Sequence, residues 1–225
     1  MLLTVSGTSQ NRQGNATRAK LVKTAEKLFA EQGVDAVSVR SVNAAAGLGA
    51  ASVHYHFGSK AELLSAVVLD LGAAVGSAIQ ANVDVLAADS TPPTPDALVR
   101  AVTAPYLDLL RRQRTRGMRW IKIMAQIAQA GPADETIEPN LRITLLEQVR
   151  RAFPNAAEDR LEARWAVSIM GFVQGLSRAD EWDRAKLSAP ALEAYLSTPR
   201  PDKAAPELAD YALAYLATAQ IETGQ

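Results

Sequence analysis

Side chains that could contact nucleic acid are concentrated in one short segment of the chain. Tyr55, His56 and Lys60 follow the small residues Ala51 and Ser52. Small residues at the start of a helix let its backbone approach base edges and the thymine methyl group in a major groove. The larger donors and the lysine suit phosphate oxygens. These residue types therefore predict contact with duplex DNA.

Charge is distributed unevenly, although the formal net charge of the 225 residues is +0. Residues 1–60 carry seven basic and three acidic side chains, so this segment has a net charge of +4 and the remainder −4. A basic segment joined to a mildly acidic body is typical of a polyanion-binding module attached to a body that does not bind DNA.

Three short helices are predicted to position these side chains. The first has an apolar face at helical spacing, formed by Leu21, Val22, Ala25, Leu28 and Phe29. Thr17 is predicted to cap its start and Gly33 to end it. Ser38 caps a second helix that Gly47 ends, and a third covers residues 50–56. The short gap before the third helix forces a sharp crossing, which is the helix-turn-helix geometry.

A fourth, longer helix is predicted to begin at the capping box Ser59-Lys60-Ala61-Glu62 and to run to about residue 87. Its first amides, together with Lys60, are expected near DNA backbone. The predicted buried face of this helix consists of Leu64, Val67, Val68, Leu71, Val75, Ala78 and Ile79.

The block from Ala46 to Leu64, AGLGAASVHYHFGSKAELL, resembles the TetR/AcrR family of bacterial transcriptional regulators. Gly49, Ala51 and His54 stand where that family often has Ser, Gly and Tyr. The resemblance implies an effector-binding, dimer-forming helical body. It also implies DNA contacts at the matching motif positions, which are Arg40, Ser52, His54, Tyr55, His56 and Lys60.

The chain is predicted to be all-α, because no strand-like alternation persists. We predict a flexible arm at residues 1–16, a helix-turn-helix DNA-binding domain at 17–62 and a helical effector-binding and dimerisation domain at 63–225. Within the last domain, a helix that starts at Thr94-Pro95 is expected to be kinked by Pro105.

Two helices of the body are predicted to form a four-helix homodimer interface, at residues 156–177 and 206–220. The first is apolar on more than one face, since Val167, Met170 and Val173 form a second stripe. Further helices are predicted at residues 118–129 and 140–152.

Four large side chains are candidates for an effector site, although such residues at helical spacing are more often simply core. They are Tyr106, Trp120, Met124 and Phe172. A basic run could attract an acidic effector, or could be a solvated helix end. It consists of Arg111, Arg112, Arg114, Arg116, Arg119 and Lys122.

These features predict a ligand-responsive transcription regulator: a repressor that binds a near-palindromic operator as a homodimer and is released by a small-molecule effector. The alternatives are a sequence-nonspecific architectural DNA-binding protein and a small helical hydrolase. The hydrolase is disfavoured, because the chain has no cysteine and no nucleophile elbow.

No cofactor or metal is expected, because His54 and His56 lie two apart on a helix and so on different faces. Polar residues interrupt each apolar segment, so we expect no membrane helix. With no cysteine to suggest an oxidising compartment, a cytoplasmic location is predicted.

Overall fold

The computed structural model describes residues 6–130, 138–154 and 158–178. These ranges are helical and contain no strand, which confirms the predicted all-α class. The helices are α1 (Ser6–Gln32), α2 (Val39–Ala45), α3 (Ser52–Phe57), α4 (Lys60–Ala88), α5 (Pro95–Ala130), α6 (Pro139–Ala152) and α7 (Glu158–Ser177). The predicted helix at 206–220 lies outside the described residues.

The first helix begins much earlier than the sequence suggested. It starts at Ser6, so residues 6–16, predicted to form a flexible arm, are helical instead. Thr17 is not an N-cap, because its hydroxyl donates to the carbonyl of Gln13 within the helix at 3.0 Å. Once a helix is nucleated, each added residue gains a hydrogen bond at little cost, and no proline interrupts this segment.

The end of α1 and both ends of α2 follow their predicted caps. Gly33 and Gly47 have positive φ angles of 95° and 63°, the left-handed conformation that ends a helix. Ser38 caps α2 in a reciprocal capping box with Ser41. The short helix α3 begins at Ser52, slightly later than predicted. The sequence therefore located the turn between α2 and α3 correctly.

Two compact units make up the chain, Met1–Ala73 and Ala74–Gln225, and α4 continues from the first into the second. In the first unit, the core is formed by Leu21, Val22, Ala25, Phe29, Val37, Val42, Ala46, Val53, Phe57, Leu63, Val67 and Leu71. This core fixes α2 and α3 against α1.

The buried stripe of α4 differs from the predicted one. It consists of Leu63, Val67, Leu71, Val75, Ile79 and Val83. Leu64 and Val68 are only half-buried and Ala78 is exposed. A strict four-residue interval slants around a helix of 3.6 residues per turn, so the buried positions follow one inclined ridge.

Helix α4 is also long and apolar enough to span a membrane by composition, since an 18-residue window within it has a mean hydropathy of 1.7. It is the one such helix in the described part of the chain, and core helices of soluble proteins meet the same criterion. The expectation of no membrane helix stays a prediction.

In the second unit, α5 changes direction at Gln113, whose φ and ψ angles of −143° and 56° are not helical. The non-helical residue is thus not at Pro105, where a kink was predicted. Proline cannot bond the carbonyl four residues before it, which here belongs to Ala101. The Asn82 side chain donates to that carbonyl at 3.0 Å, so α4 satisfies the group that Pro105 leaves open.

A single arginine on α6 holds the end of α4 and the segment after it. The Arg151 guanidinium donates to the carbonyls of Leu86, Asp89 and Thr91, and to the side chain of Gln148. The last carbonyls of a helix have no partners within it, so a cation is well placed there.

Candidate nucleic-acid interface

The buried residue Asn43 of α2 fixes the turn that leads into α3. Its side-chain amide donates to the carbonyl of Ala50 at 2.6 Å, and its oxygen accepts from the backbone amide of Val53 at 3.1 Å. Asn43 is 2% exposed. Sequence analysis missed it; a polar residue on the inward face of a short helix, next to Val42, was the available signal.

Helix α3 itself presents the predicted contact residues on the surface of the first unit. Tyr55 is 84% exposed, and His54 and Ala51 are also exposed. Ser52 and His56 are half-buried. In contrast, Val53 and Phe57 are buried in the core. The helix therefore has one anchored face and one face that solvent, or DNA, can reach.

One nitrogen of the His54 ring is already engaged by the end of its own helix. Nδ1 lies 2.7 Å from the carbonyl oxygen of Gly58, which can only accept a hydrogen bond. Nδ1 therefore donates, and in a neutral ring Nε2 is left as an acceptor. Gly58 has a φ of 77°, a backbone conformation that residues with a Cβ rarely adopt, so glycine is favoured at this turn.

Two further predicted contact residues flank α3. Arg40 is exposed on α2. Lys60 is half-buried at the start of α4, and its Nζ donates to the carbonyl of Asp35 at 3.2 Å. The amide of Glu62 donates to the Ser59 hydroxyl at 3.1 Å, which is one half of the predicted capping box.

Aromatic and cationic contacts hold the carboxyl end of α3. The Arg18 guanidinium lies over the Phe57 ring at 4.8 Å from its centre. The rings of Tyr55 and His56 meet edge to face at 4.9 Å. Such contacts favour one orientation of each side chain. Among the described residues, no cluster of His, Cys, Asp or Glu has the form of a metal site.

In the second unit, three of the four effector candidates come together. The ring of Tyr106 lies 5.8 Å from that of Trp120 and 5.4 Å from that of Phe172. Trp120 and Phe172 are buried, whereas Tyr106 is half-buried. Met124 is half-buried on the same helix as Trp120. Burial raises the pKa of Tyr106 to about 12.

The basic run of α5 surrounds the change of direction at Gln113. Arg112 and Arg114 are exposed, and Arg111 pairs with Asp108 at 3.1 Å. Arg116, Arg119 and Lys122 are half-buried. The first part of the run is therefore a solvated helix surface.

An all-α chain with an accessible helix α3, set on α2 by a buried asparagine, has the architecture of a helix-turn-helix DNA-binding protein. Residues 21–67 match the model of bacterial regulatory proteins, tetR family. The resemblance seen in the sequence is thus confirmed over residues 21–67, which carry a helix-turn-helix DNA-binding region of the tetR-family type.

Several solved structures are also similar to the chain. A TetR-family regulator from Streptomyces coelicolor is 20% identical, with 91% of this chain and 94% of that chain covered and a TM-score of 0.40. A γ-butyrolactone receptor, an ArpA-like protein, is 17% identical, with 92% and 98% covered and a TM-score of 0.48. A second TetR from Streptomyces coelicolor is 21% identical, with 92% and 96% covered and a TM-score of 0.43. No curated protein matches the sequence.

Proposed function

We propose that the protein is a repressor that binds a near-palindromic operator as a homodimer and leaves it when a small-molecule effector binds the body. The observation that carries the proposal is the two-sided character of α3. Its inward residues are locked by the core and by Asn43, while Tyr55 is 84% exposed. A rigid helix with one free polar face can enter a major groove in a defined register.

The contacts divide by chemistry. Ala51 and Ser52, at the start of α3, are small enough for close approach to base edges. Arg40, Tyr55, His56 and Lys60 are donors suited to phosphates, which fix the register of the protein on DNA. His54 differs from them, because its Nδ1 donates to Gly58 and the neutral form of the ring then offers an acceptor at Nε2. It suits the amino group of adenine or cytosine.

Dimer formation is proposed through α7 together with residues 206–220. On α7, Ala163, Val167 and Gly171 are exposed, and Val167 is 66% exposed. A Cβ added at Gly171 would meet nothing within 4 Å. An exposed strip of small and apolar residues can pack closely against its symmetry copy. The helix-turn-helix domains of the two protomers would then match the twofold symmetry of a palindromic operator.

Effector release is proposed to act through α4, because this helix belongs to both units. A ligand held by the body would change the position of α4 and with it the spacing of the two α3 helices. Both halves of an operator could then no longer be engaged at once. The coupling required is about 1 to 3 kcal/mol.

Footprinting on the DNA that flanks the gene for this chain tests the proposal. We expect a protected site with two half-sites about 10 base pairs apart, or a multiple of that spacing. Binding to this site should exceed binding to bulk DNA by roughly 10³-fold or more. Equal affinity for all duplexes would instead identify a nonspecific architectural protein.

A single substitution tests the dimer separately. Val167→Arg should convert the dimer to a monomer by light scattering and weaken operator binding, while leaving the helical content unchanged. Asn140→Arg, at an exposed position of α6, is the matched control. A Val167→Arg variant that stays dimeric would remove α7 from the interface.

A further inference from the structure

The hydroxyl of the half-buried Tyr106 differs from other buried or half-buried polar groups of the second unit. Thr103, which is fully buried, donates to the carbonyl of Val99 at 2.8 Å. Gln174 donates from α7 to the carbonyl of Ala125 on α5 at 2.8 Å. Within the part of the chain that the structure describes, no hydrogen bond is formed by the Tyr106 hydroxyl. Buried phenols usually have a partner, since losing water without replacement costs free energy.

Two aromatic rings contact the ring of Tyr106. Trp120 lies on one side, with its ring inclined by 40°, and Phe172 meets the ring nearly at a right angle, 84°. These neighbours are 3% and 1% exposed, whereas Tyr106 itself keeps intermediate exposure. Tyr106 is therefore the member of the cluster that a small molecule can reach.

The same surroundings determine what the hydroxyl can do. Desolvation raises the pKa of Tyr106 to about 12, so the group stays protonated at physiological pH. It can donate a hydrogen bond, and it carries no negative charge that would attract a cation. An ionised ligand would lose its hydration among the rings without gaining a counter-charge from them.

We infer that Tyr106 is the polar anchor of a site for an uncharged aromatic ligand with one hydrogen-bond acceptor, such as a carbonyl oxygen. The rings of Trp120 and Phe172 supply the apolar walls, and the phenol fixes the orientation of the ligand. This inference rests on the proposed effector response, because it assigns the chemistry of that same site.

Three small probes of nearly equal size separate the possibilities. Acetophenone carries a carbonyl, α-methylstyrene replaces that oxygen by a methylene group, and benzoate adds a negative charge. Their dissociation constants for the full chain are measured by ligand-observed NMR. We expect acetophenone to bind about tenfold more tightly than α-methylstyrene, and benzoate to bind most weakly.

Tyr106→Phe keeps the ring and removes only the hydroxyl. In this variant, acetophenone and α-methylstyrene should bind equally. The melting temperature should be unchanged or raised, because an unsatisfied polar group has been removed. A structural hydroxyl would give the opposite result, a lowered melting temperature.

Several outcomes would overturn the inference. Equal binding of acetophenone and α-methylstyrene to the wild-type protein would mean that the hydroxyl anchors no ligand, as would be the case if it held only an ordered water. Binding of none of the probes, or tightest binding of benzoate, would show that the site has a different chemistry.

Operator affinity, measured on the site found by footprinting, distinguishes failure of this inference from failure of the proposed function. If acetophenone binds with the expected preference but leaves operator affinity unchanged, the site stands and release by this effector fails. If the operator is bound and no probe binds the body, the site fails and the DNA-binding proposal stands.

Discussion

The side-chain oxygen of Asn43 accepts a hydrogen bond from the backbone amide of Val53 at 3.1 Å. The amide of the same side chain donates to the carbonyl of Ala50. One residue on α2 therefore provides hydrogen-bond partners for a carbonyl in the α2–α3 turn and for an amide at the start of α3. Ala51, at the N-cap of α3, makes no side-chain cap bond. Asn43 therefore does for α3 what a capping residue does for most helices.

Replacing Asn43 by Leu should destabilise the first unit and abolish operator binding. The change leaves the amide of Val53 and the carbonyl of Ala50 without partners, at about 1 to 3 kcal/mol each. Urea denaturation and operator affinity measure the two effects. Asn140→Leu, at an exposed position, is the control. Unchanged operator affinity in Asn43→Leu would show that α3 does not depend on this bond.

Tyr55→Ala should weaken operator binding about tenfold or more, since a hydrogen bond to a charged group contributes about 1.5 to 3 kcal/mol. Its stability should hardly change, because Tyr55 is 84% exposed. Fluorescence anisotropy and thermal denaturation give both values, and Tyr55→Phe separates the hydroxyl from the ring. Val85→Ala, which is also a truncation at an exposed site, is the control. Full operator affinity in Tyr55→Ala would remove this side chain from the interface.

Lys60→Gln should weaken binding to all DNA sequences about equally and lower the salt slope by about 0.9 for the one lost phosphate contact. A small loss of stability, about 0.5 to 1.5 kcal/mol, is expected because Nζ also donates to Asp35. Titrations at several salt concentrations measure the slope. Arg112→Gln, in the exposed part of α5, should leave it unchanged. A slope equal to that of the wild type would contradict a phosphate role for Lys60.

Tyr106 should make stability fall at high pH. Its pKa is raised in the folded state to about 12 from 10.0. The free energy of unfolding is therefore unaffected by this group below pH 10 and falls as the pH rises towards 12. Between these values the unfolded chain releases the proton first. Urea denaturation between pH 9 and 11 should show a shallower decline in Tyr106→Phe than in the wild type. Parallel declines would mean that the hydroxyl is not desolvated.

Arg151→Met should lower the free energy of unfolding by about 2 to 3 kcal/mol. The carbonyls of Leu86, Asp89 and Thr91 then lose a charged donor at the end of α4. Arg151→Lys should recover only part of this, because one ammonium group cannot reproduce the planar fork. Denaturation of both variants beside Arg112→Met, a control at an exposed position, measures the difference. Stabilities equal to that of the wild type would show that the Arg151 hydrogen bonds do not stabilise the end of α4.

Local signals in the sequence determined a large part of this protein. Ser38, Gly33 and Gly47 act on their own neighbours, so the limits of α2 were predictable from short-range rules. The residue types of α3, and its alternation of inward and outward positions, are sufficient on their own to indicate a DNA-facing helix. The family match over residues 21–67 confirms the resemblance to DNA-binding regulators in this segment.

Only the tertiary structure decided which distant groups meet. Asn82 satisfies the carbonyl that Pro105 leaves open, and the change of direction falls at Gln113. Tyr106 meets Phe172 across 66 positions of sequence. Helical periodicity shows which face of a helix is buried, but the partner on the other side depends on how whole helices pack. The sequence named Tyr106 and Phe172 as candidates, but their contact depends on how α5 packs against α7.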